Sequence, residues 1–554
     1  MVTKQGASPF DKENAMGHYI DQGNFSFAQA VHDEIYVDKS PLIGHLNRMI
    51  NTRRKFLCVT RPRRFGKSLA AQMLCAYYDR SCDSRPLFKE LEIARDETFE
   101  RYLNKFPVIS LDVHEERSRV HDGMEFVPWL QNRILHELAE RWPDCLADCK
   151  TVPDALASIN EKTNAQFVIS LDEWHSIYQT DEENPKAQEA WIEFLRALFK
   201  GQSADKYIAL AYMTGVLPIR NYASESPLSN FDEYTIFTSY PLESCFGFTL
   251  DEVQALCSQY KMDFGEMKRW YDGYRIRGFD TENGETVEKV MHICNPNSVV
   301  RAIMRREFEC YWNDTGSLDP VRRFVQMDIE GTKSALVQML SGGTCHFRQV
   351  PFNNTFNDAQ TYDSVMTRLT HLGYIRYDKI TREGTIPNEE IREAIYDIAS
   401  AARWNGVLRS IEASEKFIDA LVHGNSNAVA DILDKIHCDL ASILTFNNEN
   451  TLACVVMYAC YTARQDFFVF RELPSGVGFV DIALIPLPSR NLPAVLVELK
   501  WDKNADTAIE QIHNRKYTSA FDNYNGEIVL AGINYNKDSQ NKMHECKIER
   551  MMKE

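Results

Sequence analysis

Three consecutive residues, Gly66, Lys67 and Ser68, have the types and the order of a phosphate-binding loop. They come shortly after an apolar run, 56–59, and lead directly into a helix-like segment, 69–74. The backbone N–H groups of such a loop bind phosphates, the lysine ammonium reaches the outer phosphates, and the serine hydroxyl can bind Mg²⁺. The placement between a strand and a helix favours this chemistry over a Gly-Lys-Ser tripeptide that occurs by chance.

A pair of carboxylates, Asp172 and Glu173, follows the apolar run 167–171. In a site that hydrolyses a nucleoside triphosphate, the first carboxylate would bind Mg²⁺ and the second would polarise the attacking water. Thr214 ends the next apolar run and would be a polar sensor beside the γ-phosphate. The alternative for these residues is a turn at the end of a strand, without chemistry.

A second set of ionisable residues lies near the C-terminus, where Asp481, Glu498 and Lys500 occupy the β-like runs 479–485 and 494–500. Residues i and i+2 of a strand share a face, so Glu498 and Lys500 point the same way. Two carboxylates and a lysine on neighbouring strands can bind Mg²⁺ and position a hydroxide beside a phosphodiester. The alternative is an exposed Glu/Lys pair, but the apolar neighbours of Glu498 predict burial, where an unpaired charge is costly.

The elements that must position these residues alternate between strand and helix. The β-rich runs 106–112, 167–171 and 207–213 are separated by helix-like stretches, among them 126–141 and 187–199. This alternation predicts an α/β fold with a parallel sheet and helices on both faces. Apolar strands that end abruptly in polar residues place those residues at the carboxyl edge, where such sheets bind ligands.

The middle of the chain, 246–440, predicts a mostly helical connector with little chemistry of its own. A capping box is expected at 249–252. The aromatic cluster 270–274 is interpreted as a helix end with packed rings at a glycine turn, rather than as a nucleic-acid platform. A helix over 363–372 and a hairpin turning near 383–384 have the outline of a winged helix, which would touch DNA or form a lid.

Size and composition predict a large multidomain protein, because 554 residues are too many for one core. No membrane span is predicted, and the polar residues 1–10 lack the apolar core of a secretory signal. Fourteen cysteines without framework spacing predict reduced thiols and a cytoplasmic location. The net charge of −17 argues against a protein that coats nucleic acid and confines such contact to local basic patches.

The chain resembles the AAA-ATPase-like family of bacterial proteins that carry a C-terminal PD-(D/E)XK nuclease-like domain. Its Arg-Pro-Arg-Arg-Phe-Gly-Lys-Ser loop is specific to that family, in which Arg61 stands where other phosphate loops have glycine. The family usually continues its carboxylate pair with Tyr-Asp, whereas this chain has Trp174 and His175. The matching segments are 36–40, 61–68, 171–173, 214–215, 246–249, 270–274, 295–296 and 386–390.

The resemblance implies four regions and their sites. The regions are an N-terminal extension (1–30), an AAA-like P-loop NTPase domain (31–245), the helical connector (246–440) and a restriction-endonuclease-like α/β domain (441–554). The residues implied to bind ATP are Arg63, Arg64, Phe65, Gly66, Lys67, Ser68 and Thr214, with Mg²⁺ on Ser68 and Asp172 and catalysis by Glu173. The nuclease-like site is implied to bind metal through Asp481 and Glu498 and to cleave with Lys500, flanked by Glu449, Gln511 and Tyr517.

Two arginines of the loop leave alternatives open. Arg63 and Arg64 could contact phosphate, pair with a carboxylate inside the chain, or reach the ATP of a neighbouring subunit. The last alternative requires a homo-oligomer, and one sequence does not separate it from a structural salt bridge.

The function implied by both sites is that of an ATPase coupled to Mg²⁺-dependent cleavage of DNA or RNA. A rival is a nucleotide-dependent switch that binds nucleic acid or a protein through a non-cleaving nuclease fold. A third interpretation keeps only the nuclease and treats the phosphate loop as a relic.

Overall fold

A computed structural model gives the architecture in two compact units. The first unit comprises 1–314, 348–376 and 387–390, and the second comprises 315–347, 377–386 and 391–554. Residues 1–16 of the predicted N-terminal extension lie outside the described residues. The structure describes residues 17–219, 228–282, 285–312, 329, 331–340, 342–350, 361–401, 405–440, 448–487, 490, 492–518, 526–537 and 543–553.

The first unit is built around a five-stranded sheet with the order β2-β3-β4-β1-β5. All four neighbouring pairs are parallel. The longer strands consist mainly of apolar residues, and apolar and polar residues do not alternate along them. This is the pattern of strands that are buried on both faces. The strands are β1 (Phe56–Thr60), β2 (Val108–Asp112), β3 (Phe167–Asp172), β4 (Ile208–Gly215) and β5 (Asp232–Tyr234).

Helices cover both faces of this sheet, as predicted. Along β1, Phe56 and Cys58 pack into one hydrophobic core, whereas Leu57 and Val59 pack into the other. The helices of the first unit are Phe25–Val31, Pro41–Asn47, Lys67–Tyr78, Arg85–Phe88, Phe99–Tyr102, Val113–Ser118, Gly123–Arg141, Val152–Thr163, Ser176–Thr180, Pro185–Phe199, Gln202–Tyr207, Leu250–Tyr260, Phe264–Tyr271, Pro296–Arg305 and Tyr362–Leu372, with 3₁₀ turns at Glu92–Arg95 and Pro143–Cys145.

The carboxyl ends of the strands meet at one edge of the sheet. Asp112 at the end of β2 pairs in register with Asp172 at the end of β3. Thr60, from which the phosphate loop departs, pairs with Gly215 at the end of β4. The parallel register therefore gathers the loop, the carboxylates and Thr214 at the edge where ligands of such sheets bind.

A second, antiparallel sheet in the first unit was not predicted from the sequence. Its strands β6 (Phe248–Thr249), β7 (Tyr274–Glu282) and β8 (Glu285–Cys294) have the order β6-β8-β7. The capping box at Thr249 and Glu252 is present, as expected. Trp270 is buried in a core at the end of its helix, which agrees with the structural interpretation of the aromatic cluster.

The elements of the predicted winged helix are present in their expected order. The helix Tyr362–Leu372 ends at Gly373, whose φ of 92° is readily adopted by glycine. Three short strands, β9 (Cys345–His346), β10 (Arg376–Asp378) and β11 (Glu383–Thr385), form a sheet with the order β10-β11-β9. A role for these elements in touching DNA stays a prediction.

The second unit contains a five-stranded sheet with the order β12-β13-β14-β15-β16. Only β14 and β15 are parallel, and the helix Ala505–Asn514 connects them. The strands are β12 (Phe467–Pro474), β13 (Phe479–Pro486), β14 (Ala494–Trp501), β15 (Gly526–Tyr535) and β16 (His544–Lys553). The other helices beyond residue 330 are Thr332–Leu340, Glu389–Ala401, Asn405–Val422, Ser426–Leu440 and Glu449–Ala459, with a 3₁₀ turn at Tyr461–Gln465.

In the described part of the chain, every helix is too short or too polar to cross a membrane.

One buried ion pair holds the segments that follow β2 and β3. Arg117 donates two hydrogen bonds of 2.6 Å to Asp181, and both side chains are less than one-tenth exposed. We expect Arg117→Ala to lower the free energy of unfolding by about 3 kcal/mol, because it leaves a buried carboxylate unpaired. Thermal and urea unfolding measure this effect.

The control for that variant is Arg85→Ala. Arg85 forms the same kind of bidentate ion pair with Glu100, but both side chains are at least half exposed. Exposed pairs contribute less than about 1 kcal/mol. Equal destabilisation by the two substitutions would contradict the conclusion that burial makes the Arg117–Asp181 pair more important for stability than the exposed pair.

Candidate functional site

The phosphate loop ends at Gly66, which caps the helix Lys67–Tyr78 with a φ of 83°. Gly66 has no side chain to cap the first turn of this helix. Among the described residues, apart from its chain neighbours and the helix backbone, no heavy atom lies within 4 Å of the position that a Cβ on Gly66 would occupy. Ser68 is exposed beside this open space. The N-terminal amides of the helix are thus arranged to receive an anion.

Lys67 places its ammonium group between the loop and the carboxylate pair. Its Nζ donates a 3.0 Å hydrogen bond to the carbonyl of Pro62 and lies 3.8 Å from Oε1 of Glu173. Burial lowers the pKa of Lys67, while the charges of Glu173 and Asp172 oppose that shift. The ammonium is therefore held at the mouth of the loop by one carbonyl and one carboxylate.

Asp172 and Thr214 form a buried pair behind Glu173. The Thr214 hydroxyl donates a short hydrogen bond to Oδ1 of Asp172, and the Glu173 N–H lies 3.1 Å from the same oxygen. Thr214 is fully buried. In this structure its hydroxyl orients Asp172, and the predicted contact with a γ-phosphate stays a prediction.

Glu173 is the more exposed carboxylate of the pair, and its backbone adopts a φ of 51°. Burial alone would raise its pKa, but the positive charges of Lys67 and Arg63 lower it overall. Glu173 is therefore held ionised, as a residue that orients an attacking water needs to be.

His175, which stands where the family usually has aspartate, is a buried neutral imidazole. Its Nδ1 lies 3.5 Å from Oε2 of Glu173, and neither ring nitrogen has a hydrogen-bond partner among the described residues. Burial lowers the pKa of His175 to about 4, and the charge of Arg368 on the helix Tyr362–Leu372 contributes. A Cβ on Gly215 would lie 2.9 Å from this ring, so the close packing requires glycine there.

Asp112 is a third carboxylate at this edge, and the sequence analysis did not single it out. It caps the helix Val113–Ser118 by accepting a 3.0 Å hydrogen bond from the N–H of Glu115. Burial raises its pKa, with further contributions from the charges of Asp172 and Glu173. The available signal was that β2 ends in aspartate after an apolar run, as β3 does.

The side chains of Arg61 and Phe65 hold the conformation of the loop and do not offer a surface to a ligand. Arg61 is buried and donates hydrogen bonds of 2.8 and 2.9 Å to the carbonyls of Thr60 and Tyr234, and burial lowers its pKa to about 10. The Phe65 ring packs edge-on against Tyr274 at 5.1 Å. Of the predicted ATP contacts of Phe65, only its backbone is left for a phosphate.

The other two arginines of the loop are partly exposed and have contacts inside the first unit. Arg63 donates a 3.4 Å hydrogen bond to Oε1 of Gln179. Arg64 lies 3.5 Å from the carbonyl of Tyr311, and its charge also acts on the buried Glu390. These hydrogen bonds lie within the chain but go to an amide and a carbonyl oxygen, so contact with phosphate, pairing with a carboxylate and reach to a neighbouring subunit stay predictions.

The second site lies on β13 and β14 of the second unit. Ile482 pairs with Val497, and continuing this antiparallel register places Asp481 opposite Glu498. Oδ2 of Asp481 accepts a 2.7 Å hydrogen bond from the N–H of Leu499. Glu498 is only 2% exposed, as its apolar neighbours predicted.

Lys500 and Gln511 hold one oxygen of Glu498. Lys500 Nζ lies 2.9 Å from Oε1 of Glu498 and 3.7 Å from Oε1 of Glu449, and Gln511 donates a short hydrogen bond to the same oxygen of Glu498. Gln511 also lies 3.3 Å from the hydroxyl of Tyr517. The structure thus brings together all the residues that the resemblance implied for this site.

The electrostatics of this site favour a cation. Burial raises the pKa of Asp481, and burial together with the charge of Asp481 raises the pKa of Glu498 to about 7. Oε2 of Glu498 is buried and has no hydrogen-bond partner in the described residues. Such an oxygen beside a second carboxylate fits a divalent metal ion.

Comparisons with known proteins match two regions of the chain. Residues 23–223 match the family model of a predicted AAA-ATPase, and residues 447–545 match that of the PD-(D/E)XK nuclease superfamily. The chain thus contains an AAA-ATPase-like region and a PD-(D/E)XK nuclease-like region. The phosphate loop and the carboxylate pair lie in the AAA-ATPase-like part, and Asp481, Glu498 and Lys500 lie in the nuclease-like part.

Similar proteins extend the comparison without adding a function. An "Uncharacterized protein in vnfD 5'region" of Azotobacter chroococcum mcd 1 is 23% identical over 537 residues, which cover 92% of this chain and 94% of that protein. The solved ORC2 protein of Aeropyrum pernix, in ADPNP and ADP complexes, is 14% identical with a TM-score of 0.29 and covers 67% of this chain and 98% of that one. A signal transduction ATPase with numerous domains from Pyrococcus horikoshii is 12% identical with a TM-score of 0.24, covering 74% and 52%. Both TM-scores are too low to carry an argument about this chain.

The buried imidazole of His175 predicts that the stability of this protein decreases at acid pH. The unfolded chain binds a proton at the ordinary histidine pKa, whereas folded His175 binds one only near pH 4, so its contribution to stability is lost as the pH falls. We expect the difference in unfolding free energy between wild type and His175→Gln to change by roughly 2 kcal/mol between about pH 7.5 and about pH 5. Urea unfolding at the two pH values measures it.

His136→Gln is the matched control, because the His136 side chain is 81% exposed. A His175→Gln protein with the same pH dependence as wild type would contradict the assignment of a neutral buried imidazole.

Proposed function

We propose that this protein binds and hydrolyses ATP and uses the nucleotide cycle to regulate Mg²⁺-dependent cleavage of DNA or RNA. The observation that supports cleavage most directly is the orphaned, buried oxygen of Glu498 beside Asp481 and Lys500. An isolated buried carboxylate oxygen is costly, and a bound divalent cation would satisfy it.

In the ATP half, the open space at Gly66 would receive the phosphates, and Lys67 would neutralise the outer ones. Ser68 and Asp172 would hold Mg²⁺. Glu173, which the neighbouring cations keep ionised, would orient the attacking water.

In the nuclease half, Asp481 and Glu498 would hold Mg²⁺, which would supply a hydroxide nucleophile and stabilise charge on the phosphodiester. No cluster of three or more His, Cys, Asp and Glu side chains suited to a metal occurs in the described part of the chain. Mg²⁺ commonly keeps several waters, so two carboxylates are an adequate protein contribution. Lys500 would leave its bond to Glu498 and donate to the phosphate or the nucleophile.

A non-cleaving switch is the second candidate, and one observation favours it. Lys500 and Gln511 already donate hydrogen bonds to Oε1 of Glu498, so this network also stabilises the fold without metal. In that case ATP would control the binding of nucleic acid or a protein, and no bond would be broken.

The ATP half is tested by Lys67→Ala. We expect ATP affinity to fall at least about tenfold, because the variant removes a charge-assisted hydrogen bond to phosphate. Isothermal titration calorimetry measures the affinity, and Lys89→Ala, at a 62% exposed lysine, is the control. If the wild-type protein does not bind ATP, the interpretation of the loop as a relic would be supported.

The nuclease half is tested by Lys500→Ala. We expect it to lower the rate of cleavage by roughly 10²-fold or more, as removal of a donor to the developing charge does in other sites. Labelled single- and double-stranded DNA and RNA are incubated with Mg²⁺ or Mn²⁺, with and without ATP. The exposed Lys503→Ala is the control.

Cleavage that requires Lys500 and depends on ATP would establish both activities and their coupling. Absence of cleavage from the wild-type protein, with ATP binding intact, would identify the non-cleaving switch.

A further inference from the structure

Two exposed aromatic rings lie on either side of the nuclease-like site. Phe479 is 59% exposed and Phe470 is 39% exposed. In the register of β12 and β13, Phe470 pairs with Ala483 and Pro474 pairs with Phe479. Because side chains alternate along a strand, Phe479, Asp481 and Ala483 share one face, and Phe470 joins them from the neighbouring strand. The two rings therefore bracket Asp481 along one face of the sheet.

The turn that carries Phe479 into β13 is anchored rather than free. The N–H of Val477 donates a 3.0 Å hydrogen bond to the carbonyl of Arg515, and Ser475 donates one of the same length to Gly478. Gly476 has a φ of 55°, and a Cβ there would lie 2.1 Å from the carbonyl of Arg515. The turn needs glycine for this close approach, and it presents Phe479 in a defined position.

Two exposed cations stand where this turn is anchored. Arg515 and Lys516 follow the helix Ala505–Asn514, and both side chains are exposed. Arg515 Nη1 lies 3.5 Å from the hydroxyl of Tyr517, which lies 3.3 Å from Gln511, and Gln511 donates to Glu498. A short chain of polar contacts thus connects these two cations to the carboxylate site, beside which the exposed Glu472 adds a negative charge.

We propose that Phe479 and Phe470 form a stacking platform for unpaired bases beside the scissile phosphate, with Arg515 and Lys516 binding neighbouring phosphates. The substrate class is therefore single-stranded or locally unpaired nucleic acid. This inference rests on the proposed nuclease function for its choice of occupant. Local positive charge beside exposed rings is the combination that binds single strands, because every unpaired base offers a face for stacking and the backbone offers anions. Paired bases in a duplex do not present that face.

Fluorescence anisotropy with a labelled single strand and a blunt duplex of the same sequence tests the platform. Ca²⁺ replaces Mg²⁺, because it takes the same kind of oxygen ligands and allows binding to be measured apart from cleavage. We expect Phe479→Ala to weaken binding of the single strand by about tenfold and to leave duplex binding unchanged. Phe479→Trp should restore the affinity, since indole offers a larger face.

Two controls separate stacking from a general loss of apolar surface or charge. Met552, 72% exposed on the strand at the other edge of the sheet, is replaced by alanine and should have no effect. Arg515→Ala and Lys516→Ala should each reduce the salt dependence of log affinity by about one unit of slope. Circular dichroism melting shows whether each variant is folded.

The outcomes distinguish this inference from the proposed function. Binding of the single strand that depends on Phe479, without cleavage in Mg²⁺, would support the platform and contradict the nuclease. Lys500-dependent cleavage with unchanged binding by folded Phe479→Ala would support the nuclease and overturn the platform. Equal weakening for single strand and duplex, or no nucleic-acid binding at all, would also overturn it.

Discussion

Burial of carboxylates on or directly after strands is the constraint on which both sites depend. A buried carboxylate is stable only when nearby cations, hydrogen-bond donors or a bound metal compensate for lost hydration. At the first site, the Lys67 ammonium and neighbouring positive charges lower the pKa of Glu173 despite its burial. That compensation depends on the phosphate loop, on the register of β3 with β4 and on the packing of His175.

The second site has the opposite balance. The donors Lys500 and Gln511 do not fully compensate for the lost hydration of Glu498 and Asp481, and the pKa values of both carboxyl groups are therefore raised. One oxygen of Glu498 has no hydrogen-bond partner in the described residues. Buried carboxylates whose pKa values are raised in this way suit a metal cation. The two sites, one in each unit, thus differ in how the charge of their buried carboxylates is compensated.

Four strands of the parallel sheet were predictable because they are short apolar runs that end in polar residues, as β3 does at Asp172. The edge strand β5 (Asp232–Tyr234) has no such run and was not predicted. The β7–β8 hairpin was not, since its strands carry exposed polar residues such as Arg275 and Lys289 and lack an apolar run. Antiparallel pairing between two such segments is stabilised mainly by contacts between side chains on opposite strands. Neither strand therefore has a local pattern strong enough to identify it.

Local order along the chain was sufficient to identify Gly66-Lys67-Ser68, Asp172-Glu173 and the Glu498/Lys500 pair, because each depends on spacing within one loop or strand. Long-range packing decided the rest: the closeness of Asp112 to Asp172, the neutral state of His175, the convergence of Gln511 on Glu498 and the exposure of Phe479. These properties depend on which segments exclude water from one another. Desolvation acts between residues that are distant in the chain, and no local spacing encodes it.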